Sequence, residues 1–302
     1  MKAKFQALRG APGAVRGIAL MAAAMIAFAA MNGCVRFLSN ELHPFQIAGI
    51  RSAFGLLIFV PILARRRLAP LRTQRIGLLA MRGFCHVVTM LLHFMALSLI
   101  PLATFASLNF SIPLFTTILA FVFLGEAIRL RRLVALGVGF AGALVVVRPG
   151  IVGLDVGAVL VLAGAASFAA SVIILKHLVR TESSLTVTIY MSVVVAPATL
   201  IAVIPFWQTP TLAQLGLMAV MAGLGTGGFL LFTQAFKEAD VTVLAPINFT
   251  GLIWSALFGY LAFGEVADIW TWVGGAMIFS ATSYIAYRER RRNGRSQNRN
   301  GG

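Results

Sequence analysis

The chain has 302 residues, of which 59% are apolar and 11% are charged, against about 45–50% and 25% in ordinary soluble domains. So few charges cannot cover the surface of a soluble protein of this size, so a membrane protein is predicted. The net charge of +16 does not indicate a nucleic-acid partner, because the cations cluster between apolar runs and at the termini. The two cysteines, Cys34 and Cys85, are too few for a disulfide framework or a zinc site.

Ten apolar runs are each long enough to cross a bilayer as a helix, which takes about 20 residues. Short segments with turn or cap signals separate them. In chain order they cover residues 15–37, 45–64, 76–98, 102–124, 131–148, 154–178, 184–206, 211–236, 241–264 and 269–287. The sequence therefore predicts an all-α polytopic membrane protein with ten transmembrane helices.

The first run also fits a second interpretation. Lys2 and Lys4, the apolar residues 18–31 and the Asn32-Gly33-Cys34 triplet are compatible with a signal peptide that ends at a weak lipoprotein site. However, the run is repeated inside the chain at residues 157–178, and its cleavage would delete one helix of the ten. We therefore expect it to be a transmembrane helix.

The chain contains one unit twice. Residues 96–126 and 235–265 align without a gap at an offset of 139, and the preceding parts align at an offset of 140. Equivalent pairs include Gly17 and Gly157, Arg36 and Lys176, Asn109 and Asn248, Phe110 and Phe249, and Glu126 and Glu265. We predict two five-helix repeats, residues 1–150 and 151–287, followed by a disordered basic cytoplasmic tail, residues 288–302. In transporters built this way the site usually lies where the copies meet.

The distribution of cations predicts the orientation. With both termini in the cytoplasm, most arginines and lysines fall in cytoplasmic segments, whereas Arg148, Arg36 and Arg51 lie on or towards the opposite side. Each repeat has an odd number of spans, so the second copy is predicted to enter the membrane upside down. Such an inverted repeat suits a carrier that alternates between two openings.

The first copy contains Asn109-Phe110-Ser111-Ile112-Pro113-Leu114 and Leu124-Gly125-Glu126, and the second contains Pro246-Ile247-Asn248-Phe249-Thr250 and Phe263-Gly264-Glu265. These stretches, in two five-helix units, resemble the EamA family of the drug/metabolite transporter superfamily. The resemblance covers residues 17–287 and implies a bacterial inner-membrane carrier with a central substrate cavity. Arg82-Gly83-Phe84 and the Phe-Ser-Ile-Pro-Leu-Phe run resemble carriers of riboflavin or S-adenosylmethionine most closely.

Span three carries a polar stripe. Arg82, His86, Thr89 and His93 are spaced four, three and four residues apart and therefore share one helical face. Because a cation at mid-bilayer costs about 2.5–3.5 kcal/mol, the stripe should face the bundle interior. Arg82 lies close enough to the cytoplasmic end to reach the interface instead. His86 and His93 are about 10 Å apart along the helix, which is too far for them to share a metal ion. Either these two histidines line the cavity, or neighbouring packed groups satisfy their hydrogen-bonding needs.

The equivalent residues Asn109 and Asn248 are further candidates for substrate binding. Each lies near a proline, Pro113 or Pro246, which predicts a locally broken helix whose freed backbone groups face a cavity. In the alternative, each asparagine bonds a neighbouring helix. We predict a cavity framed by spans one, three, four, six, eight and nine, with both asparagines and the two histidines of span three reaching into it.

Spans nine and two carry further candidates. Phe249, Trp254 and Tyr260 on span nine are placed to stack on a planar ligand. Arg51, about two turns into span two, either neutralises an anionic group of the substrate or reaches the outer interface.

All nine acidic residues lie at span ends, in loops or in the tail: Glu41, Glu126, Asp155, Glu182, Glu238, Asp240, Glu265, Asp268 and Glu289. The buried carboxylate that often relays protons in a coupled carrier is therefore missing from the spans. Proton coupling would have to use a histidine of span three, or Glu126 or Glu265 at an interface. Facilitated diffusion or exchange also fits this pattern.

We predict a secondary active or facilitative transporter of a small organic metabolite, such as riboflavin or S-adenosylmethionine, working as a monomer or homodimer. An amino-acid or drug exporter of the same family is the alternative. A membrane sensor or channel is the alternative of a different class, although a channel is expected to show a charged ring or a filter loop. An enzyme is not expected, because no catalytic constellation is present. Neither a cofactor nor a metal is expected.

Overall fold

The computed structural model describes residues 13–61, 73–124, 130–148, 155–178, 181–182, 184–239 and 241–300, and these residues contain no β-strand. The helices are α1 (Gly13–Leu38), α2 (Pro44–Leu57), α3 (Ile76–Leu99), α4 (Leu102–Asn109), α5 (Ile112–Leu124), α6 (Leu130–Val147), α7 (Val156–Leu178), α8 (Ser184–Val203), α9 (Leu212–Glu238), α10 (Val241–Phe263) and α11 (Ile269–Asn300). A 3₁₀ turn, Ile204–Phe206, follows α8.

Every predicted span overlaps a helix, and span four coincides with α4 and α5 together. Helix α2 ends at Leu57, before the predicted end of span two at residue 64, and residues 62–64 of that span lie outside the described residues. Within the described residues, six of these stretches are long and apolar enough to cross a membrane: α1, α3, α4 with α5, α7, α8 and α9. Helices α6 and α10 contain shorter apolar stretches, Leu133–Val147 and Ile247–Phe263. The all-α polytopic fold is thus confirmed, whereas the count of ten crossings stays a prediction.

The two halves of the chain interdigitate. Helix α1 packs against α9 and α10, and its repeat equivalent α7 packs against α3 and α5. Helix α2 packs against α8, and α6 packs against α11. Exchanging the first five spans for the second five converts the α1 contacts into the α7 contacts, and it maps the α2–α8 and α6–α11 pairs onto themselves. The packing therefore follows the pseudo-twofold axis that the duplication predicts.

The repeated glycines Gly17 and Gly157 mark equivalent close approaches. A Cβ on Gly17 would lie 2.5 Å from Cβ of Ala239, the C-cap residue of α9. A Cβ on Gly157 would lie 2.4 Å from Cγ2 of Ile100, the C-cap residue of α3. In each copy, the first helix thus meets the end of the third helix of the other copy through a glycine, as small residues at membrane helix interfaces permit.

A third close approach joins α6 to α11. A Cβ on Gly142 would lie 2.8 Å from the carbonyl oxygen of Gly274, whereas a Cβ on Gly137 of the same helix meets nothing within 4 Å. Overpacking a well-packed site costs about 1–3 kcal/mol, so Gly142→Ala should lower the melting temperature of the detergent-purified protein. Gly137→Ala is the matched control and should leave it unchanged or higher. Equal melting temperatures for the two variants would contradict this packing.

Only one of the two predicted helix breaks is present. Helix α4 ends at Asn109 and α5 begins at Ile112, because Pro113 has no N–H to donate to the Asn109 carbonyl. By contrast, α10 is continuous from Val241 to Phe263, so the predicted break at Pro246 is wrong. Pro246 lies in the second turn of α10, where the loss of one hydrogen bond does not interrupt the helix.

The C-terminal tail also differs from the prediction. Residues 288–300 continue α11 as a helix, where disorder was predicted. Arginine, glutamate and glutamine are good helix formers, and extending an existing helix avoids the cost of nucleation. No proline interrupts this stretch.

Candidate functional site

Equivalent aromatic residues of the two copies contact each other. The rings of Phe110 and Phe249 stack with their centroids 5.4 Å apart and their planes 24° apart. Phe279 closes the cluster, with its centroid 4.6 Å from that of Phe249 and 6.2 Å from that of Phe110. Asn109 and Asn248, both half-buried, directly precede the stacked residues. The pseudo-twofold axis therefore passes between these two short segments.

The break between α4 and α5 places polar groups next to this cluster. The Asn109 side chain donates through Nδ2 to the Phe105 carbonyl of its own helix at 3.3 Å. Ser111 is buried, and its hydroxyl has no hydrogen-bond partner among the described residues. Pro113 leaves a backbone carbonyl without its usual donor. Unfulfilled hydrogen-bonding capacity beside an aromatic stack is typical of a site that receives a polar, planar ligand.

The polar stripe of α3 faces α7. Thr89 donates to the carbonyls of Cys85 at 2.9 Å and Gly164 at 3.3 Å. His93 Nε2 lies 3.3 Å from the Val161 carbonyl, and a Cβ on Gly164 would lie 2.3 Å from the His93 ring. The stripe thus points into the bundle as predicted, and His93 fills the contact between α3 and α7.

His86 and Arg82, the other two residues of the stripe, each have a buried nitrogen without a hydrogen-bond partner among the described residues. The His86 ring lies 5.9 Å from the Phe168 ring, and its Nδ1 atom is buried without a partner among the described residues. Arg82 is buried, with Nη1 3.4 Å from the Val187 carbonyl of α8 and Nε unpartnered within the same part of the chain. Arg82 therefore contacts the neighbouring helix α8.

Arg51 turns from α2 towards the bundle interior. Its Nη1 lies 3.3 Å from Met90 Sδ, and its Cζ lies 5.9 Å from the Phe94 ring centroid. A Cβ on Gly225 would lie 2.2 Å from its Nη2. The guanidinium thus sits between α3 and α9, among side chains of the bundle.

Trp254 lies elsewhere. It packs against the apolar cluster of Met21, Met25 and Leu244 between α1, α9 and α10, whereas Phe110 packs against the main core. The structure therefore separates Trp254 from the stacked phenylalanines.

Glu265 joins the two copies at the end of the molecule where α1 ends, called here the Leu38 end. Its Oε1 accepts a hydrogen bond from Arg36 Nε at 3.1 Å, and its Oε2 accepts one from the Leu102 backbone N–H at 2.9 Å. Arg36 also donates to the Leu97 carbonyl at 3.1 Å. Gly264, with φ of +67°, provides the turn that directs Glu265 back to the bundle. Its repeat equivalent, Glu126, lies outside the described residues.

Sequence reasoning did not identify Arg36 and Glu265 as partners. The signal that was available is the predicted orientation, which places the end of span one and the end of span nine on the same side of the membrane. A second cross-copy contact at this end, between Gln46 and Gln208, was also missed. The Gln46 side chain accepts from the Gln208 N–H at 3.0 Å and donates to its carbonyl at 2.5 Å.

Two segments, residues 15–148 and 155–287, match the model of the EamA-like transporter family. The chain belongs to this family. It is therefore a metabolite transporter and a multi-pass inner-membrane protein, and the resemblance drawn from the sequence is confirmed.

Curated relatives of this transporter cover nearly its whole length. It is 31% identical to an S-adenosylmethionine uptake transporter of Rickettsia bellii, over 91% of this chain and 94% of the relative. It is 27% identical to a riboflavin transporter of Vibrio cholerae, over 94% of this chain and 97% of the relative. A solved crystal structure with 18% identity has a TM-score of 0.58, covering 90% of this chain and 95% of that one, which shows a shared fold.

Proposed function

We propose that this transporter carries S-adenosylmethionine by alternating access, in a cavity between its two repeats, with both termini in the cytoplasm. The observation that carries the proposal is the stack of Phe110 on Phe249, flanked by Asn109 and Asn248. An adenine ring is planar, and its edge carries hydrogen-bond donors and acceptors. Stacking of such a base on an aromatic side chain is worth about 1–3 kcal/mol, and amides pair well with adenine. The relationship to an S-adenosylmethionine uptake transporter supports this assignment.

Riboflavin is the second candidate. Its ring system is also planar and polar at its edge, so the same phenylalanine stack suits it, and the relative from Vibrio cholerae is named for it. The two candidates differ in charge, because riboflavin carries no carboxylate and S-adenosylmethionine does.

The repeat boundaries at residues 150 and 287 are part of this proposal. The two family matches, which end at residues 148 and 287, support them. To open the cavity to each side of the membrane in turn, one repeat would rock against the other about the stack of Phe110 on Phe249. Glu265 is the coupling candidate in this scheme, because it bonds across the copies.

The test is uptake of radiolabelled S-adenosylmethionine and riboflavin into proteoliposomes, with and without a proton gradient. We expect saturable S-adenosylmethionine flux that Asn109→Ala and Asn248→Ala each reduce at least about tenfold, as expected when about 1.4 kcal/mol of ligand interaction is lost. Asn40→Ala, in an exposed position outside the helices, is the matched control and should keep full flux. Saturable flux of riboflavin alone would assign the second candidate, and flux that neither cavity variant alters would contradict the placement of the site.

A further inference from the structure

We propose that Arg51 receives the carboxylate of the substrate and so makes this transporter selective for a metabolite that carries an amino-acid group. The inference rests on the proposed function and adds a specificity-determining residue to it. It starts from the surroundings of one half-buried arginine whose Nε atom is buried.

Arg51 is half-buried and lies near the middle of α2. It follows Pro44, the first residue of α2, by seven residues, which places it about 10 Å along the helix axis. Its neighbours are the thioether of Met90, at 3.3 Å from Nη1, and the ring of Phe94. Its Nε is buried and has no hydrogen-bond partner among the described residues. No described carboxylate lies within ion-pair distance of it.

Two arginines that lie near the ends of α1 have acidic partners. Arg16 pairs with Glu238 at 3.4 Å, and Arg36 pairs with Glu265 at 3.1 Å. Arg51 lacks such a partner within the described part of the chain, although burial makes a counter-charge more valuable there than at a helix end. An arginine in this situation is suited to a counter-charge that arrives with the ligand. Its planar guanidinium matches a carboxylate in two parallel hydrogen bonds.

The chain also makes room for this guanidinium. A Cβ on Gly225 of α9 would lie 2.2 Å from Arg51 Nη2 and 2.9 Å from Met31 Sδ of α1. Gly223 and Gly227, in the same glycine-rich run, have nothing within 4 Å of the equivalent position. Among these three glycines, Gly225 alone is needed for the guanidinium to occupy its place. The walls of this place come from spans one, three and eight, which belong to the predicted frame of the cavity.

The test compares S-adenosylmethionine with its decarboxylated analogue, which differs only by loss of the carboxylate. Both compete with labelled S-adenosylmethionine for uptake into proteoliposomes, and the ratio of their inhibition constants is measured. We expect the wild type to prefer the carboxylated compound by about 30-fold or more, within the range of buried charge pairs. Arg51→Gln should bring the ratio close to one, and Arg51→Lys should leave it intermediate.

Two controls separate this role from a general loss of structure. Gly225→Ala keeps the charge but displaces the guanidinium, so it should lower the ratio, whereas Gly227→Ala should leave it unchanged. Arg82→Gln removes a different arginine, one that is buried, and should change uptake of both compounds alike. The inference is overturned if the wild type does not distinguish the two compounds, or if Arg82→Gln lowers the ratio as much as Arg51→Gln. The proposed function would stand in both cases, and it falls only if the folded wild type neither binds nor moves S-adenosylmethionine.

Discussion

Glu265→Gln should slow transport by about fivefold or more and open the Leu38 end of the protein. The Glu265 carboxylate holds Arg36 of α1 and the N-terminus of α4 at 3.1 Å and 2.9 Å, and so ties the second copy to two helices of the first. Glutamine preserves the shape but removes the charge. Arg36 then keeps the Leu97 carbonyl as an acceptor but loses its counter-ion.

The size of the effect follows from burial. Breaking a fully buried pair costs about 3–5 kcal/mol, but these side chains are 24% and 13% exposed. Solvent screening reduces the cost to about 1–3 kcal/mol. The ratio of molecules that are closed at the Leu38 end to molecules that are open there then falls by about 5- to 150-fold. The measurement is the reaction rate of a membrane-impermeant maleimide with Ser98→Cys, in a background lacking Cys34 and Cys85. That rate should rise in Glu265→Gln.

Asp268→Asn provides the matched control. Asp268 pairs with Arg148 at the same end of the molecule, but the two side chains are 39% and 30% exposed. Pairs in such positions contribute about 0–1 kcal/mol, so transport and maleimide reaction should stay close to the wild type. If both variants behaved alike, the Glu265 contact would have no special part in closing this end.

The fold was predictable because its signals are local or repeated. The length of apolar runs determines which segments form membrane helices, and the duplication shows which helices are equivalent. The pair Gly17 and Gly157 illustrates this, since the two glycines are matched in sequence and make equivalent close contacts. The break after Asn109 was also predictable, because a proline in a helix interior removes a specific hydrogen bond.

The parts that sequence reasoning missed depend on distant partners. Arg36 and Glu265 are 229 residues apart, and only the rotation and packing of their helices bring them together. The clearance that Gly225 gives to Arg51 is likewise a property of two helices seen together. Conversely, Pro246 was given the same weight as Pro113, although α10 continues through Pro246 as α8 continues through Pro197. A proline removes one backbone hydrogen bond, and this loss alone does not decide whether the helix breaks.

Pro113→Ala should make the protein more stable and a poorer transporter. Alanine supplies the N–H that Pro113 lacks, so the Asn109 carbonyl gains a donor and α4 can continue into α5. A proline in a helix interior costs about 3 kcal/mol, and a partial recovery of this amount should raise the melting temperature. The same straightening rotates Phe110 relative to Phe249, so uptake should fall at least about tenfold.

If the break serves transport, Pro113→Ala raises the melting temperature and lowers uptake. If the break is only a structural defect, the melting temperature rises without a loss of uptake. Pro197 is the matched control, because it lies inside α8, which is unbroken from Ser184 to Val203. Pro197→Ala should raise the melting temperature without lowering uptake, since that helix already tolerates its missing bond. Uptake by Pro113→Ala that equalled or exceeded the wild type would show that the break is not needed for transport. Because α10 is continuous at the equivalent residues, the two copies already differ where they meet. If the substrate site depends on the break in the first copy, Pro113→Ala should abolish it, because this variant makes the first copy continuous like the second.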